Sequence, residues 1–141
     1  MSKSQQAGMV TVLLVEDDEV DVKAVERAIA KKGIHNPVKR AQDGAEALEM
    51  LRLGAVPKPY IIVLDLNLPG MNGLEMLRQL RADNALQDAV VFVLTTSQAR
   101  GDKLAAYGEN VAGYIVKRDC IDYERFVTLL DQYWSLVDLP A

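Results

Sequence analysis

Three stretches of this chain, residues 10–15, 60–64 and 89–94, are short, nearly uninterrupted apolar runs rich in valine, isoleucine and leucine. A strand with one wet face alternates apolar and polar residues. A strand covered on both faces does not, so these runs predict strands buried inside a parallel sheet. Between them the period changes to that of a helix. From about Glu19 to Lys32, Val22, Val25, Ala28 and Ile29 fall on one face, and Gly33 supplies a terminator. Asp43 with Glu46, and Asn72 with Glu75, each read as a cap with an acid three residues on. They open helices carrying Ala47, Leu48 and Leu51, and Leu74, Leu77 and Leu80. Weaker signals place an edge strand at 37–41, a helix at 98–107, a strand at 112–116 and a last helix at 121–137.

Five strands alternating with five helices predict an α/β fold, a doubly wound parallel sheet with helices on both faces in three layers. Right-handed crossovers favour the flavodoxin-like strand order 2-1-3-4-5. At 141 residues the chain is expected to hold one domain over 10–141, preceded by a disordered extension at 1–9. With 16 basic against 20 acidic side chains and no basic run, it has no electrostatic footprint for nucleic acid or an anionic membrane. Residues 1–9 lack the apolar centre of a signal peptide, and no stretch is long enough to span a bilayer, so a soluble cytoplasmic protein is expected. The single cysteine, Cys120, excludes an internal disulfide and reads as structural; no His/Cys cluster suggests zinc, and His35 reads as a loop residue.

In open α/β sheets the functional crevice lies at the carboxyl ends of the strands. Here the first strand ends in Glu16-Asp17-Asp18, the third in Asp65, the fourth in Thr95-Thr96 and the fifth in Lys117. Taken singly, each has a plain structural explanation: Asp18 as a helix cap, Asp65 as a turn former, Lys117 as a solvated end. Their joint placement at four strand ends is what points to chemistry. Clustered carboxylates without counter-charge favour a hard divalent cation, and Mg²⁺ suits one or two carboxylates completed by water and phosphoryl oxygens. A carboxylate beside such an ion can attack phosphorus to give a mixed anhydride. Lys117 would offer a compact positive charge to one phosphoryl oxygen, and the Thr95 hydroxyl a hydrogen bond to another.

The segments Leu14-Val15-Glu16-Asp17-Asp18, Leu64-Asp65-Leu66-Asn67-Leu68-Pro69-Gly70-Met71-Asn72-Gly73, Leu94-Thr95-Thr96-Ser97 and Gly113-Tyr114-Ile115-Val116-Lys117 occur in this order. Together they resemble the receiver domains of bacterial two-component response regulators. The resemblance implies a phosphoacceptor, Asp65, with Lys117 and Thr95 as its partners. It implies that Thr95 and Tyr114 form the switch pair. It assigns a Mg²⁺ (or Mn²⁺) ion to Asp17, Glu16, Asp65 and the backbone carbonyl of Asn67, with Asp17 the nearer ligand of the acidic pair. Asn67 and Ser97 match positions that tune the lifetime of the phosphoryl group. One position departs from the family: Arg118 follows Lys117 where a proline in a cis bond is usual. A non-proline cis bond costs about 3–4 kcal/mol, so either the loop carries that strain or it takes another path.

The resemblance further implies a sensor histidine kinase as phosphodonor and an output through partner binding, dimerisation or onward phosphotransfer in a relay. No output domain is expected in this chain, nor any enzymatic activity beyond its own phosphorylation and dephosphorylation. Tyr133-Trp134 and Leu94-Thr95-Thr96-Ser97 are also similar to the small receivers that partner phytochrome-type kinases. The last helix carries more apolar residues than one stripe needs. The excess suggests a homodimer surface at Phe126, Leu130, Tyr133 and Trp134. Other readings stay open: a phosphorylation-independent adaptor of the same fold, a phosphohydrolase with an Asp nucleophile, or a flavodoxin-like cofactor binder. Asp65-Leu66-Asn67 lacks the second Asp expected of the phosphohydrolase. The three acids after the first strand would repel the phosphate of a cofactor.

Overall fold

Each buried run forms a strand, and the strands assemble in parallel. The computed structural model describes residues 9–140, so all but Met9 of the extension expected over 1–9 lies outside the described residues. The strands are β1 (Thr11–Val15), β2 (Val38–Ala41), β3 (Tyr60–Leu64), β4 (Val90–Thr95) and β5 (Gly113–Val116). They alternate with α1 (Glu19–Lys31), α2 (Gly44–Arg52), α3 (Gly73–Ala82), α4 (Arg100–Gly108) and α5 (Cys120–Leu136). All neighbours pair in parallel, in the order β2-β1-β3-β4-β5. The chain reverses its direction of winding between β1 and β3, which places the crevice beside those two strands.

The alternation of side chains along each strand splits the interior into two cores. Leu13, Val15, Ile62, Leu64, Val91 and Val93 face α2 and α3, where Leu48, Leu51, Met76, Leu77 and Leu80 meet them. Val12, Leu14, Ile61, Val63, Phe92 and Leu94 face α1 and α5. Side-chain caps fix four of the helix starts, that of α5 through Asp119. Asp18, Asp43 and Asn72 accept from the amides of Val20, Glu46 and Glu75 at 2.8, 2.8 and 2.9 Å. Gly33 and Gly54, just past α1 and α2, have φ of +68° and +70°, the left-handed conformation that ends a helix.

The last helix departs from expectation. Phe126 and Leu130 are 2% and 1% exposed within the chain itself, so they cannot form the outer dimer surface assigned to them. Tyr133 and Trp134 are half-buried against the same core, and the Tyr133 ring meets Phe92 edge-on at 5.0 Å. The excess of apolar residues on α5 has an internal cause. The helix packs against both the sheet and α1, and so needs two buried sides rather than one stripe. The apolar residues it does leave exposed are Ile121, Leu129 and Leu136, with Val137 just beyond its end.

Candidate functional site at the carboxyl edge of the sheet

The sheet does not stop where its strands are assigned to end. Glu16 donates its amide to the Ala41 carbonyl at 3.0 Å, Asp65 to Val15 at 3.1 Å and Lys117 to Thr95 at 2.8 Å. Each side chain of interest is thus held by one further rung of the ladder, on rigid backbone rather than on a free loop. Gly73 permits the close approach of α3 beneath them: a Cβ there would lie 2.6 Å from the Asp65 carbonyl oxygen and 2.7 Å from the Leu66 Cα.

The side chains converge. One carboxylate oxygen from each of Glu16, Asp21 and Asp65 lies within 4.8 Å of the other two. The Lys117 ammonium reaches all three, donating to Glu16 Oε1 at 2.5 Å, Asp21 Oδ2 at 2.9 Å and Asp65 Oδ2 at 3.4 Å. The second Asp65 oxygen accepts from the Thr95 hydroxyl at 2.8 Å and from the Asn67 amide at 3.1 Å. Glu16, Asp65, Thr95 and Lys117 are all buried, where an unpaired charge is costly.

One ammonium cannot neutralise three carboxylates, and the groups divide the consequence. Burial, aided by the Asp65 charge and only partly opposed by Lys117, pushes Glu16 up to about 7. For Asp21, burial is outweighed by hydrogen bonds from Lys117 and Tyr123, so its carboxyl is held below the usual range. Burial disfavours the Lys117 ammonium, but its bonds to Glu16 and Asp21 and the charge of Asp65 more than compensate, and it stays protonated. With all three acids ionised, two negative charges remain uncompensated, which a divalent cation would match. The donor set is all oxygen, as Mg²⁺ or Mn²⁺ prefers.

The residues expected around this centre are distributed as follows. Asp17 is exposed, and its carboxylate is not one of the three that converge. Tyr114 is half-buried and donates its hydroxyl to the Ser97 carbonyl at 3.0 Å, which ties β5 to the loop after β4. The Ser97 hydroxyl donates to Asp102 at 2.6 Å, and its amide to the Thr95 hydroxyl oxygen at 3.3 Å. Asn67 is exposed, its side-chain amide 3.4 Å from the Thr96 hydroxyl. Among the described residues the only cis peptide is Lys58–Pro59, so Lys117–Arg118 is trans and the loop takes the alternative path. The Arg118 amide, which a proline would lack, donates to Asp122 at 2.7 Å. Asp122 also accepts from Asp119, while Asp119 caps α5 through the Ile121 amide at 3.0 Å. Arg118 itself is exposed.

Sequence reasoning missed Asp21 and Tyr123. Asp21 sits in the first turn of α1, where an acid is ordinary, and its only sequence signal is a spacing that returns it to the face of the strand end. Tyr123, from α5, donates to Asp21 Oδ1 at 2.7 Å. Burial and that bond to an anion raise its hydroxyl well above an ordinary tyrosine.

A parallel sheet of this order with acids and one lysine at its carboxyl edge defines the class to which the comparisons point. The model of the response regulator receiver domain matches residues 12–130, and the chain belongs to that family. Response regulator Rcp1 of Synechocystis is 33% identical over 136 residues, 92% of each chain. The probable methanogenesis regulatory protein FilR2 of Methanothrix harundinacea is 35% identical over 127 residues, 87% of this chain and 82% of that one. Among solved structures, the Mn²⁺-bound form of Rcp1 aligns with a TM-score of 0.83 over 94% of this chain and 100% of that one. The phosphorylated cyanobacterial phytochrome response regulator RcpA, 30% identical, aligns with a TM-score of 0.85 over 95% and 100%. No helix among the described residues is long and apolar enough to cross a membrane.

Proposed function

We propose that this chain is a cytoplasmic phosphorylation switch whose phosphoacceptor is Asp65. The observation that carries the reading is the meeting of Lys117, Thr95 and the Asn67 amide on one buried carboxylate, with two further acids alongside. Glu16, Asp65 and Asp17 would hold a Mg²⁺ or Mn²⁺ ion, with the Asn67 carbonyl; the Mn²⁺-bound form of Rcp1 supports a divalent ion in this chain, and the meeting of Glu16 and Asp65 supports its place at this edge. When bound, the ion supplies charge neutralisation to the transferring phosphoryl group.

The chain's own residues do the rest. Hydrogen bonds from Thr95 and Asn67 fix the orientation of the Asp65 carboxylate. One of its oxygens forms the new O–P bond while the P–N bond of a phosphohistidine donor breaks, and the histidine leaves as imidazole. Lys117 already spans three carboxylates, so it is placed to follow the charge onto a phosphoryl oxygen without a large movement. Once Thr95 donates to that group instead of to Asp65, its link to the Ser97 amide and the Tyr114–Ser97 tie are disturbed together. This biases a two-state surface at β4, α4 and β5. Asn67 and Ser97 flank the site and would tune how long the phosphoryl group survives. The chain then acts by signalling rather than by turnover of a substrate.

The donor is proposed to be a sensor histidine kinase of the phytochrome type, supported by the similarity to RcpA. Self-association is proposed through the exposed apolar residues of α5, Ile121, Leu129 and Leu136; sedimentation of wild type and Leu129→Glu with Leu136→Glu tests it. The phosphoacceptor reading is tested by intact mass after incubation with acetyl phosphate and Mg²⁺. Wild type is expected to gain one phosphoryl group and Asp65→Asn none; no adduct on wild type would sink the reading in favour of an adaptor that works without phosphorylation.

A further inference from the structure

The Arg40 guanidinium makes three contacts, all with the segment that leaves β1. Its Nε donates to the Glu16 carbonyl at 3.1 Å, its Nη2 to the Asp17 carbonyl at 3.0 Å, and its Nη1 pairs with the Glu19 carboxylate. The neighbouring residue of β2 holds the same segment as well, because Ala41 accepts the Glu16 amide. Both peptide groups that flank Asp17 are therefore fixed from the edge strand.

This use of an arginine is specific. A side chain serving charge balance alone would aim its donors at carboxylates, and Asp17 and Asp18 stand within the same segment. Here two of the three contacts go to neutral carbonyls in succession, a pattern that only a rigid planar fork can satisfy together. Arg40 is also only 23% exposed while its ion-pair partner Glu19 is 64% exposed. The shielded part of the contact is thus the grip on the backbone, and the exposed ion pair adds little.

We propose that Arg40 is a positioning residue for cation binding. By fixing the carbonyls on either side of Asp17, it sets the direction in which the exposed Asp17 carboxylate leaves the backbone, and so how readily a bound cation could draw it toward Glu16 and Asp65. This role rests on the reading above in which Asp17 is a metal ligand. It is separate from Lys117, which touches the acids directly.

The test is Mn²⁺ binding to the full chain, read from the electron paramagnetic resonance signal of the free ion, for wild type, Arg40→Lys and Glu19→Gln. Lysine keeps the charge and loses the fork. Arg40→Lys is expected to bind Mn²⁺ about tenfold more weakly, the typical loss when the support of a metal ligand is removed, with its circular dichroism and melting curve close to wild type. Glu19→Gln, which leaves the carbonyl grip intact, is expected to stay within about twofold of wild type. Wild-type affinity in Arg40→Lys overturns the proposal, as does an equal loss in Glu19→Gln, which would place the effect in the ion pair. Wild type that binds no Mn²⁺ overturns it together with the metal assignment. Weakened binding in Arg40→Lys upholds it even if Asp65 accepts no phosphoryl group from acetyl phosphate, an outcome that would overturn the phosphoacceptor reading alone.

Discussion

Replacing Asp65 by asparagine should stabilise the metal-free protein. The reason is the charge count at the edge of the sheet. The Asp65 carboxylate lies within 4.8 Å of an oxygen of Glu16 and of Asp21. At an effective dielectric of about 20, each such pair repels by about 3.5 kcal/mol. Its attraction to Lys117, at 3.4 Å, is worth about 5 kcal/mol on the same scale. The two repulsions exceed the attraction by about 2 kcal/mol, and burial of the charge adds to the imbalance. Asparagine keeps an oxygen for the Thr95 hydroxyl and the Asn67 amide, though as a weaker, neutral acceptor. Allowing for that loss, Asp65→Asn should gain about 1–2 kcal/mol, or roughly 3–8 °C in melting temperature for a domain of this size. The assay is thermal and urea unfolding at pH 8, where Glu16 is ionised, in EDTA and then in millimolar Mg²⁺. Ligand binding stabilises a native state by mass action, so Mg²⁺ should narrow the gap by raising wild type. A variant that melts at or below wild type in EDTA would refute the charge imbalance on which this account of the site depends.

Three further outcomes follow from the same geometry. Lys117→Met should lower stability in EDTA by about 3–5 kcal/mol, the cost of leaving buried charge without its partner, and Mg²⁺ should recover more of that loss than it adds to wild type. Gly73→Ala should cost about 1–3 kcal/mol through overpacking against the Asp65 and Leu66 backbone, and should slow phosphorylation, as urea midpoints and acetyl phosphate kinetics would report. Glu16, raised by burial from 4.5 to about 7, binds its proton more tightly in the folded state. Its contribution is therefore complete below pH 4.5 and is lost as pH rises through about 7. In EDTA, wild type should become more stable between pH 7.5 and about 5.5, and Glu16→Gln should flatten that slope in urea titrations.

Most of the fold was legible because each of its determinants is local. Buried parallel strands announce themselves as unbroken apolar runs, and Asp18, Asp43 and Asn72 cap helices within their own segments. The site was legible in part for the same reason. Glu16, Asp65, Thr95 and Lys117 meet because each ends a strand or lies one residue beyond it, and a parallel sheet brings such ends to one edge. What escaped the sequence depends on distance across the fold. Asp21 and Tyr123 come from two different helices, and their contact spans 102 residues of chain. Arg40 lies in a short polar strand whose register with β1 had to be known before its reach to Glu16 and Asp17 could be seen. The misassigned surface on α5 has the same origin. Phe126 and Leu130 read as surplus until α1 is placed beside them.

The central claim, that Asp65 itself takes the phosphoryl group, is tested most directly by chemical trapping. An acyl phosphate is reduced by borohydride, which converts the modified aspartate to homoserine and leaves free carboxylates unchanged. After treatment with acetyl phosphate and Mg²⁺, peptide mass spectrometry of the trapped protein should find homoserine at position 65. Homoserine at Asp17, Asp18 or Asp21 instead, or at no residue of a protein that has gained a phosphoryl group, would contradict it.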